Sequence, residues 1–230
     1  MLLQALREQV IYYGKQMLSS GLTVHTGGNL SARDPETGLI AIKPTSKPYD
    51  LLRPTDIPII DCEGNLIEGD FRPSSEWPMH TLLYRSNPRV MGIVHCHSPY
   101  VLSAAAAGTE IPLICHELCM HCTSSVRVMR FEVPGSEALA QSALRGLGTD
   151  NNVTILGNHG SIAIGATLWH AFDAVCAVEM AARTYFLARM ERQMAGDSAP
   201  IAPIPPEGRA ALRFCDPLQR KEFSGEIQSV

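Results

Sequence analysis

The chain has 230 residues, of which 45% are hydrophobic and 18% are charged, and this composition predicts one globular domain with a core of its own. The formal net charge of -4 argues against nucleic acid or an anionic membrane as partner, because both favour a basic surface. It leaves room for a small phosphorylated ligand, since a few local donors suffice for one phosphate group.

The ends of the chain and its cysteines bear on location. Arg7 and Glu8 come early, and no basic segment precedes an apolar core, so no signal peptide is predicted. No apolar run reaches the roughly 20 residues of a membrane-spanning helix. Seven cysteines are an odd number in a chain too long for a disulfide scaffold, which favours reduced thiols and a cytoplasmic protein.

The first third of the chain predicts one helix and several short strands. Residues 2–19 form an amphipathic helix, because apolar residues recur at steps of three and four. The motif Thr26-Gly27-Gly28-Asn29 indicates a turn, interpreted either as a hairpin turn or as an anion-binding nest of backbone N–H groups. Strands follow at residues 39–43 and 57–61, with a hairpin turn at residues 62–65 leading to Leu66 and Ile67.

Helices and strands alternate along the rest of the chain. Helices are predicted to open at residues 72–80 and to cover residues 99–107, 136–147 and 168–193. Strands are predicted at residues 90–95, 111–115, 152–156 and 161–164. Four prolines within residues 200–206 indicate an extended linker, and a small helix is expected around residues 209–214. The expected organisation is one domain over residues 1–195, then a Pro-rich linker and tail over residues 196–230.

One loop offers donors of the kind that bind anions. Pro44 and Pro48 hold it open, and Thr45, Ser46 and Lys47 supply hydroxyl and ammonium groups.

The helix that opens at residues 72–80 begins with polar residues. A serine ahead of Pro78 is predicted in its N-cap region. Glu76 lies in the first turn, where a carboxylate can simply complement the helix dipole. The sequence alone leaves this interpretation of Glu76 open.

Three histidines lie at predicted strand ends or turns. His95 and His97 are two residues apart in a strand, so their side chains point to the same face. This spacing suits a pair of metal ligands, although surface or hydrogen-bonded histidines would show it as well. His159 follows another strand in a tight turn before a glycine. Three nitrogen ligands with a position left open are typical of a catalytic zinc site.

The remaining histidines are given no ligand role. His80 and His170, both on predicted helices, suit contacts with solvent or helix caps better. Cys119 and Cys122 have the C-x-x-C spacing of zinc or redox sites, but the chain lacks a second such pair and a thioredoxin-like context, so the signal is weak.

Taken together, these motifs resemble those of the class II aldolase/adducin family, and within it the L-fuculose-1-phosphate aldolase type, from about residue 6 to residue 189. The motifs that carry the resemblance are Thr26-Gly27-Gly28-Asn29-Leu30-Ser31, Lys43-Pro44-Thr45-Ser46, Pro73-Ser74-Ser75-Glu76, His95-Cys96-His97-Ser98 and Asn158-His159-Gly160.

The resemblance implies an α/β/α sandwich with a central, mainly antiparallel sheet, assembled as a homotetramer with active sites between subunits. It implies one Zn²⁺ per subunit, or another divalent metal, held by His95, His97 and His159, with Glu76 as the catalytic acid/base. The residues implied to bind the substrate phosphate are Gly28, Asn29, Thr45, Ser46, Ser74 and Ser75.

The function expected from this resemblance is that of a zinc-dependent aldolase. It would cleave a ketose 1-phosphate, such as L-fuculose 1-phosphate, to dihydroxyacetone phosphate and an aldehyde by retro-aldol chemistry. The alternatives are an L-ribulose-5-phosphate 4-epimerase-like isomerase, a sugar-phosphate dehydratase or decarboxylase, and a non-catalytic adducin-like interaction domain. Glu76 favours the aldolase over the epimerase, which typically carries aspartate there.

Two positions depart from the family pattern. Lys47 stands where many members have glycine, and it either adds a phosphate contact or points to solvent. His116 stands where fuculose aldolases carry a tyrosine that handles the aldehyde, so an aldehyde-side role is expected for His116 and the aldehyde specificity stays open.

Overall fold

The computed structural model of the chain describes residues 1–212 and Leu218. Its centre is an eight-stranded sheet with the strand order β4-β3-β2-β1-β5-β8-β7-β6. The strands are β1 Asn29–Arg33, β2 Ile40–Ile42, β3 Ile59–Ile60, β4 Leu66–Glu68, β5 Gly92–Cys96, β6 Val128–Met129, β7 Val153–Leu156 and β8 Gly160–Gly165. Neighbouring strands are antiparallel apart from β6 and β7, which are parallel. The predicted, mainly antiparallel sheet is confirmed.

Helices cover both faces of the sheet. They are α1 Gln4–Ser19, α2 Trp77–Ser86, α3 Pro99–Ala107, α4 His116–His121, α5 Glu137–Leu147, α6 Leu168–Met194 and α7 Pro206–Leu212. Helices α1, α3, α4 and α6 contribute to one buried apolar cluster, and α2 and α5 contribute to a second cluster on the other face. The predicted α/β/α sandwich is therefore confirmed. None of the helices among the described residues is long and apolar enough to cross a bilayer.

Strand alternation decides which side chains reach the site. In β5, Val94 and Cys96 pack into the cluster under α1, α3 and α6, whereas Ile93 packs into the cluster under α2 and α5. His95 therefore points to the α2 side. The register pairs His95 with Asn29 of β1, so two polar side chains lie next to each other beneath α2.

Most predicted elements agree with the structure to within about two residues, the usual uncertainty of element ends. Two predictions are wrong. The glycine pair at residues 27–28 is no hairpin turn, because it joins α1 to β1 rather than two strands. Residues 111–115 form no strand, because only Ile111 makes an isolated bridge, to Val126.

The C-terminal part of the described chain lies against α4 and the segments that flank it. The backbone N–H of Ile204 donates to the carbonyl of Leu113 at 2.8 Å, and Arg209 Nη1 donates to the carbonyl of Thr123 at 3.4 Å. Helix α7 matches the first part of the small helix expected at residues 209–214, whereas Phe214 and most of the tail lie outside the described residues.

Candidate metal centre and substrate site

Three histidine rings converge at one edge of the sheet. His95 lies near the end of β5, His97 follows that strand directly, and His159 lies in the turn between β7 and β8. His95 Nε2 and His97 Nε2 are 3.0 Å apart, and one ligand nitrogen from each ring lies within 4.8 Å of the others. Within the described part of the chain, no other group of three or more His, Cys, Asp or Glu side chains is placed to hold a metal.

Two glycines allow the backbone to approach this closely. Gly28 has φ of +65°, and a Cβ added to it would lie 2.5 Å from the carbonyl oxygen of His95. A Cβ on Gly160 would collide with the carbonyl oxygen of Cys96 and lie 2.9 Å from the ring of His97. A side chain at either position would force the loops around the three histidines apart.

The imidazoles are prepared to act as metal ligands. His95 Nδ1 donates to the carbonyl of Ser161 at 2.8 Å, which aims Nε2 at the other two rings. Burial, together with the neighbouring His95, lowers the pKa of His97 to about 3 and that of His159 to about 4. Both rings are therefore neutral and offer lone pairs, as metal binding requires.

His95 and Glu76 form a buried pair at the same point. His95 Nε2 lies 3.1 Å from Glu76 Oε2, and although burial opposes it, the Glu76 carboxylate raises the pKa of His95. A divalent cation bound to His95 Nε2 would replace the proton that this nitrogen shares with Glu76. Glu76 Oε1 is buried without a hydrogen-bond partner, so the donor set present here fits a metal ion well.

Glu76 lies at the start of α2 with only 4% of its surface exposed. Its side chain makes no capping hydrogen bond to the helix; instead, Oε2 accepts from Asn29 Nδ2 at 2.8 Å and Oε1 lies 3.3 Å from His159 Nε2. Burial opposes ionisation, but His95, His159 and Asn29 outweigh it and hold the pKa of Glu76 below its usual range. The residue is thus a carboxylate aimed at the histidines.

All the residues predicted to bind phosphate line one cavity of about 420 Å³ beside Glu76, His97 and His159. They are Gly28, Asn29, Thr45, Ser46, Ser74 and Ser75. Two backbone hydrogen bonds hold the contributing loops side by side: Thr45 N to Arg72 O at 3.0 Å, and Ser74 N to Lys43 O at 2.9 Å.

Sequence reasoning gave no role to Lys43, yet it is the cation that lines this cavity. The side chain is 2% exposed, with Nζ 3.1 Å from Pro44 O and 3.3 Å from Thr26 O, and it lies over the ring of Tyr49. Burial lowers its pKa to about 8. The sequence does contain a signal for Lys43: a lysine that ends an apolar strand and directly precedes a loop rich in hydroxyl groups.

Lys47 and His116 lie elsewhere. Lys47 Nζ is 2.7 Å from Asp56 Oδ2 and over the ring of Phe71, so it neither points freely to solvent nor lines the cavity. His116 is exposed, pairs with Glu117 at 3.1 Å and is absent from the residues lining the cavity. Its aldehyde-side role stays a prediction. Cys119 and Cys122 form no disulfide bond and are packed into the core.

The prediction for His80 is wrong. It is 0% exposed and neither faces solvent nor caps a helix. Its ring lies 2.5 Å from Asn29 Oδ1 and 2.7 Å from Ser31 Oγ, which places it directly behind Asn29 and Glu76. Helical spacing indicates that His80 shares a face with Glu76, but the buried polar partner on β1 is visible only in the fold.

Three imidazoles leave coordination positions open towards a polar cavity, whereas a structural metal site is closed by four protein ligands. The arrangement could hold a metal ion beside a polar cavity. Residues 8–186 match the family described as "Class II Aldolase and Adducin N-terminal domain". The chain belongs to this class II aldolase and adducin family, as its motifs indicated.

Two similar proteins are named as sugar-phosphate aldolases. A 5-deoxy-D-ribulose 1-phosphate aldolase from Bacillus thuringiensis serovar kurstaki is 39% identical over 186 residues, which cover 81% of this chain and 86% of that protein. The structure of an L-fuculose 1-phosphate aldolase superposes with a TM-score of 0.83 at 30% identity, covering 91% and 95% of the two chains. The structure of YgbL from Escherichia coli, described as "a putative aldolase/epimerase/decarboxylase", superposes with a TM-score of 0.78 at 26% identity, covering 91% of this chain and 98% of that chain. The chain is an aldolase-type lyase.

Proposed function

We propose that this enzyme is a zinc-dependent aldolase that cleaves a ketose 1-phosphate to dihydroxyacetone phosphate and an aldehyde. The observation that carries the proposal is the position of Glu76. Its carboxylate lies 3.1 and 3.3 Å from two of the three converging histidines and lines the same cavity as a lysine and a set of serine and threonine hydroxyls.

His95, His97 and His159 would hold the zinc ion, which when bound would supply a Lewis acid that polarises the ketose carbonyl. Another divalent metal that binds imidazole well could take the place of zinc.

Glu76 moves the proton in this scheme. Breaking the bond between the third and fourth carbons turns the hydroxyl of the fourth carbon into the aldehyde and releases its proton. The electron pair left on the third carbon takes up a proton to give dihydroxyacetone phosphate. Glu76, a carboxylate at rest, would accept a proton as the bond breaks and deliver one to the third carbon. Oε2 is engaged by Asn29, so the proton passes through Oε1, which lacks a hydrogen-bond partner.

The phosphate would lie in the cavity beside Lys43. The ammonium group, the hydroxyls of Thr45, Ser46, Ser74 and Ser75 and the backbone turn at Gly28 converge there. A phosphate held by these groups would fix the position of the ketose relative to Glu76.

The test is a substrate panel with metal-loaded and chelator-treated protein. The panel contains 5-deoxy-D-ribulose 1-phosphate, L-fuculose 1-phosphate and L-ribulose 5-phosphate. Retro-aldol cleavage of the first would give acetaldehyde, and of the second lactaldehyde, with dihydroxyacetone phosphate from both. We expect metal-dependent release from at least one 1-phosphate. Release from neither, with epimerised L-ribulose 5-phosphate appearing instead, would overturn the proposal in favour of the epimerase.

The proposed assembly is a homotetramer in the cytoplasm. Family membership supports the tetramer, and the described cysteines, none of which forms a disulfide bond, suit a reducing compartment. Native mass spectrometry at low micromolar concentration measures the subunit number directly, and a monomer would contradict both the proposed tetramer and the expected position of the active sites between subunits.

A further inference from the structure

A chain of buried polar side chains runs behind the site from α2 through β1 and back to Glu76. Tyr84 Oη lies 2.9 Å from Ser31 Oγ, Ser31 Oγ lies 2.7 Å from His80 Nδ1, and His80 Nε2 lies 2.5 Å from Asn29 Oδ1. Asn29 Nδ2 then reaches Glu76 Oε2 at 2.8 Å. The first four of these residues are at most 5% exposed.

The donors along this chain can point in only one direction. An ionised Glu76 only accepts, so the Asn29 group that faces it is the NH₂ group and Asn29 Oδ1 faces His80. His80 Nε2 must then carry the hydrogen. Burial lowers the pKa of His80 to about 3, so the ring is neutral, its Nδ1 accepts, and Ser31 donates to it.

This direction matters because an asparagine amide is nearly symmetric in shape. Without a donor at His80 Nε2, Asn29 Oδ1 would be a buried acceptor without its partner, and nothing on that side would oppose rotation of the amide by half a turn. Its oxygen would then face the Glu76 carboxylate, and two acceptors in a buried site repel each other. Glu76 would lose its donor and the position that leaves Oε1 towards the histidines.

We infer that His80 is a positioning residue for catalysis: its Nε2–H fixes the Asn29 amide, which in turn holds Glu76 with Oε2 engaged and Oε1 available. The inference rests on the proposed role of Glu76. The alternative, a histidine that merely fills the core, predicts that any well-packed replacement works equally well.

Two substitutions separate these explanations. In His80→Gln the side-chain amide nitrogen reaches the place of Nε2 and can still donate to Asn29. The shorter side chain of His80→Asn reaches only the Nδ1 side, towards Ser31. We expect His80→Asn to lower kcat by about 10- to 100-fold, the usual cost of losing an outer partner of a site, with a smaller change in KM. His80→Gln should recover the larger part of kcat. Zinc content and Tm are measured for both variants.

Equal kcat in the two variants, after each is shown to fold and to bind metal, would overturn the inference. So would a rise in KM without a fall in kcat, which would mean that Asn29 serves the phosphate rather than Glu76.

A second measurement does not depend on turnover. The ¹⁵N and ¹H correlations of the His80 ring, assigned by comparison with His80→Gln, report which nitrogen carries the hydrogen. We expect the Nε2–H tautomer in metal-free and metal-loaded protein, and the Nδ1–H tautomer would refute the directed chain. If the wild-type enzyme cleaves no ketose phosphate, the proposed function fails, but the His80 tautomer still tests the direction of the hydrogen bonds behind Glu76. If the wild-type enzyme cleaves a ketose phosphate and both His80 variants are as active, only the positioning role of His80 fails.

Discussion

Replacing Lys43 by methionine tests whether a buried ammonium group recognises the substrate phosphate. Methionine keeps most of the side-chain length and fills the same space over Tyr49, so the loss is that of the charge. A hydrogen bond to a charged group contributes about 1.5–3 kcal/mol, and each 1.4 kcal/mol is about tenfold in affinity. We expect KM for a ketose 1-phosphate to rise by about 10- to 100-fold, with a smaller change in kcat.

The pKa of Lys43 also predicts how kcat/KM depends on pH. Burial lowers that pKa to about 8, so the side chain is a cation below this pH and neutral above it. Since kcat/KM reports the ionisation of the free enzyme, wild-type kcat/KM should fall as the pH rises through about 8. The Lys43→Met variant should lose that part of the pH profile.

Lys47 provides the matched control, because it lies in the same loop but pairs with Asp56 at 2.7 Å. Lys47→Met should leave KM close to the wild-type value. It should instead lower Tm, because Asp56 is buried and would keep only Arg53, at 3.3 Å, as a charged partner. Steady-state kinetics and thermal unfolding are measured on both variants. If KM rises equally in the two variants, or in neither, the assignment of the phosphate to Lys43 is wrong.

Three further predictions concern the metal, the proton and the phosphate loop. Glu76→Gln should keep the metal but lose at least about 100-fold in kcat, measured beside metal analysis; full activity would remove Glu76 from the mechanism. His95→Ala should lose the metal in the same analysis, and retained stoichiometric metal would contradict the ligand set. Ser46 has φ of +54°, a conformation that glycine adopts more easily, so Ser46→Gly should raise the free energy of unfolding by about 1 kcal/mol. The same variant loses a hydroxyl group of the cavity and should raise KM. If denaturant unfolding shows no gain in stability, Ser46 is not strained.

The sequence predicted the histidines and Glu76 because their signals are short and local. The spacing of His95 and His97 follows directly from strand alternation, and the glycine after His159 indicates a tight turn in any fold. The family pattern then supplied Glu76, which the structure places 3.1 Å from His95. These side chains come from separate elements, but each carries its own pattern along the chain.

Other features depend on contacts that no local pattern records. Strand β1 was not predicted, because the glycine pair just before it indicates a turn and the polar residues Asn29 and Ser31 fit the same turn. The same polar residues are the partners of His80, so missing the strand also meant missing the chain behind Glu76. Residues 111–115 failed for the opposite reason: they are apolar enough for a strand, but only Ile111 finds a partner.

The polar residues of β1 also show how this fold separates stability from chemistry. On the α2 side of the sheet, Ile40, Ile42 and Ile93 form an apolar cluster, while Asn29 and Ser31 interrupt it close to His95. A single apolar replacement of Asn29 or Ser31 would leave a buried donor or acceptor without a partner, which costs about 1–3 kcal/mol. Replacing Asn29, Ser31, His80 and Tyr84 together would leave none of these four side chains without a partner and would extend the apolar core, but Glu76 Oε2 would lose the donor that holds it. Stability alone therefore gives no reason for this polar strip, and positioning of the carboxylate does.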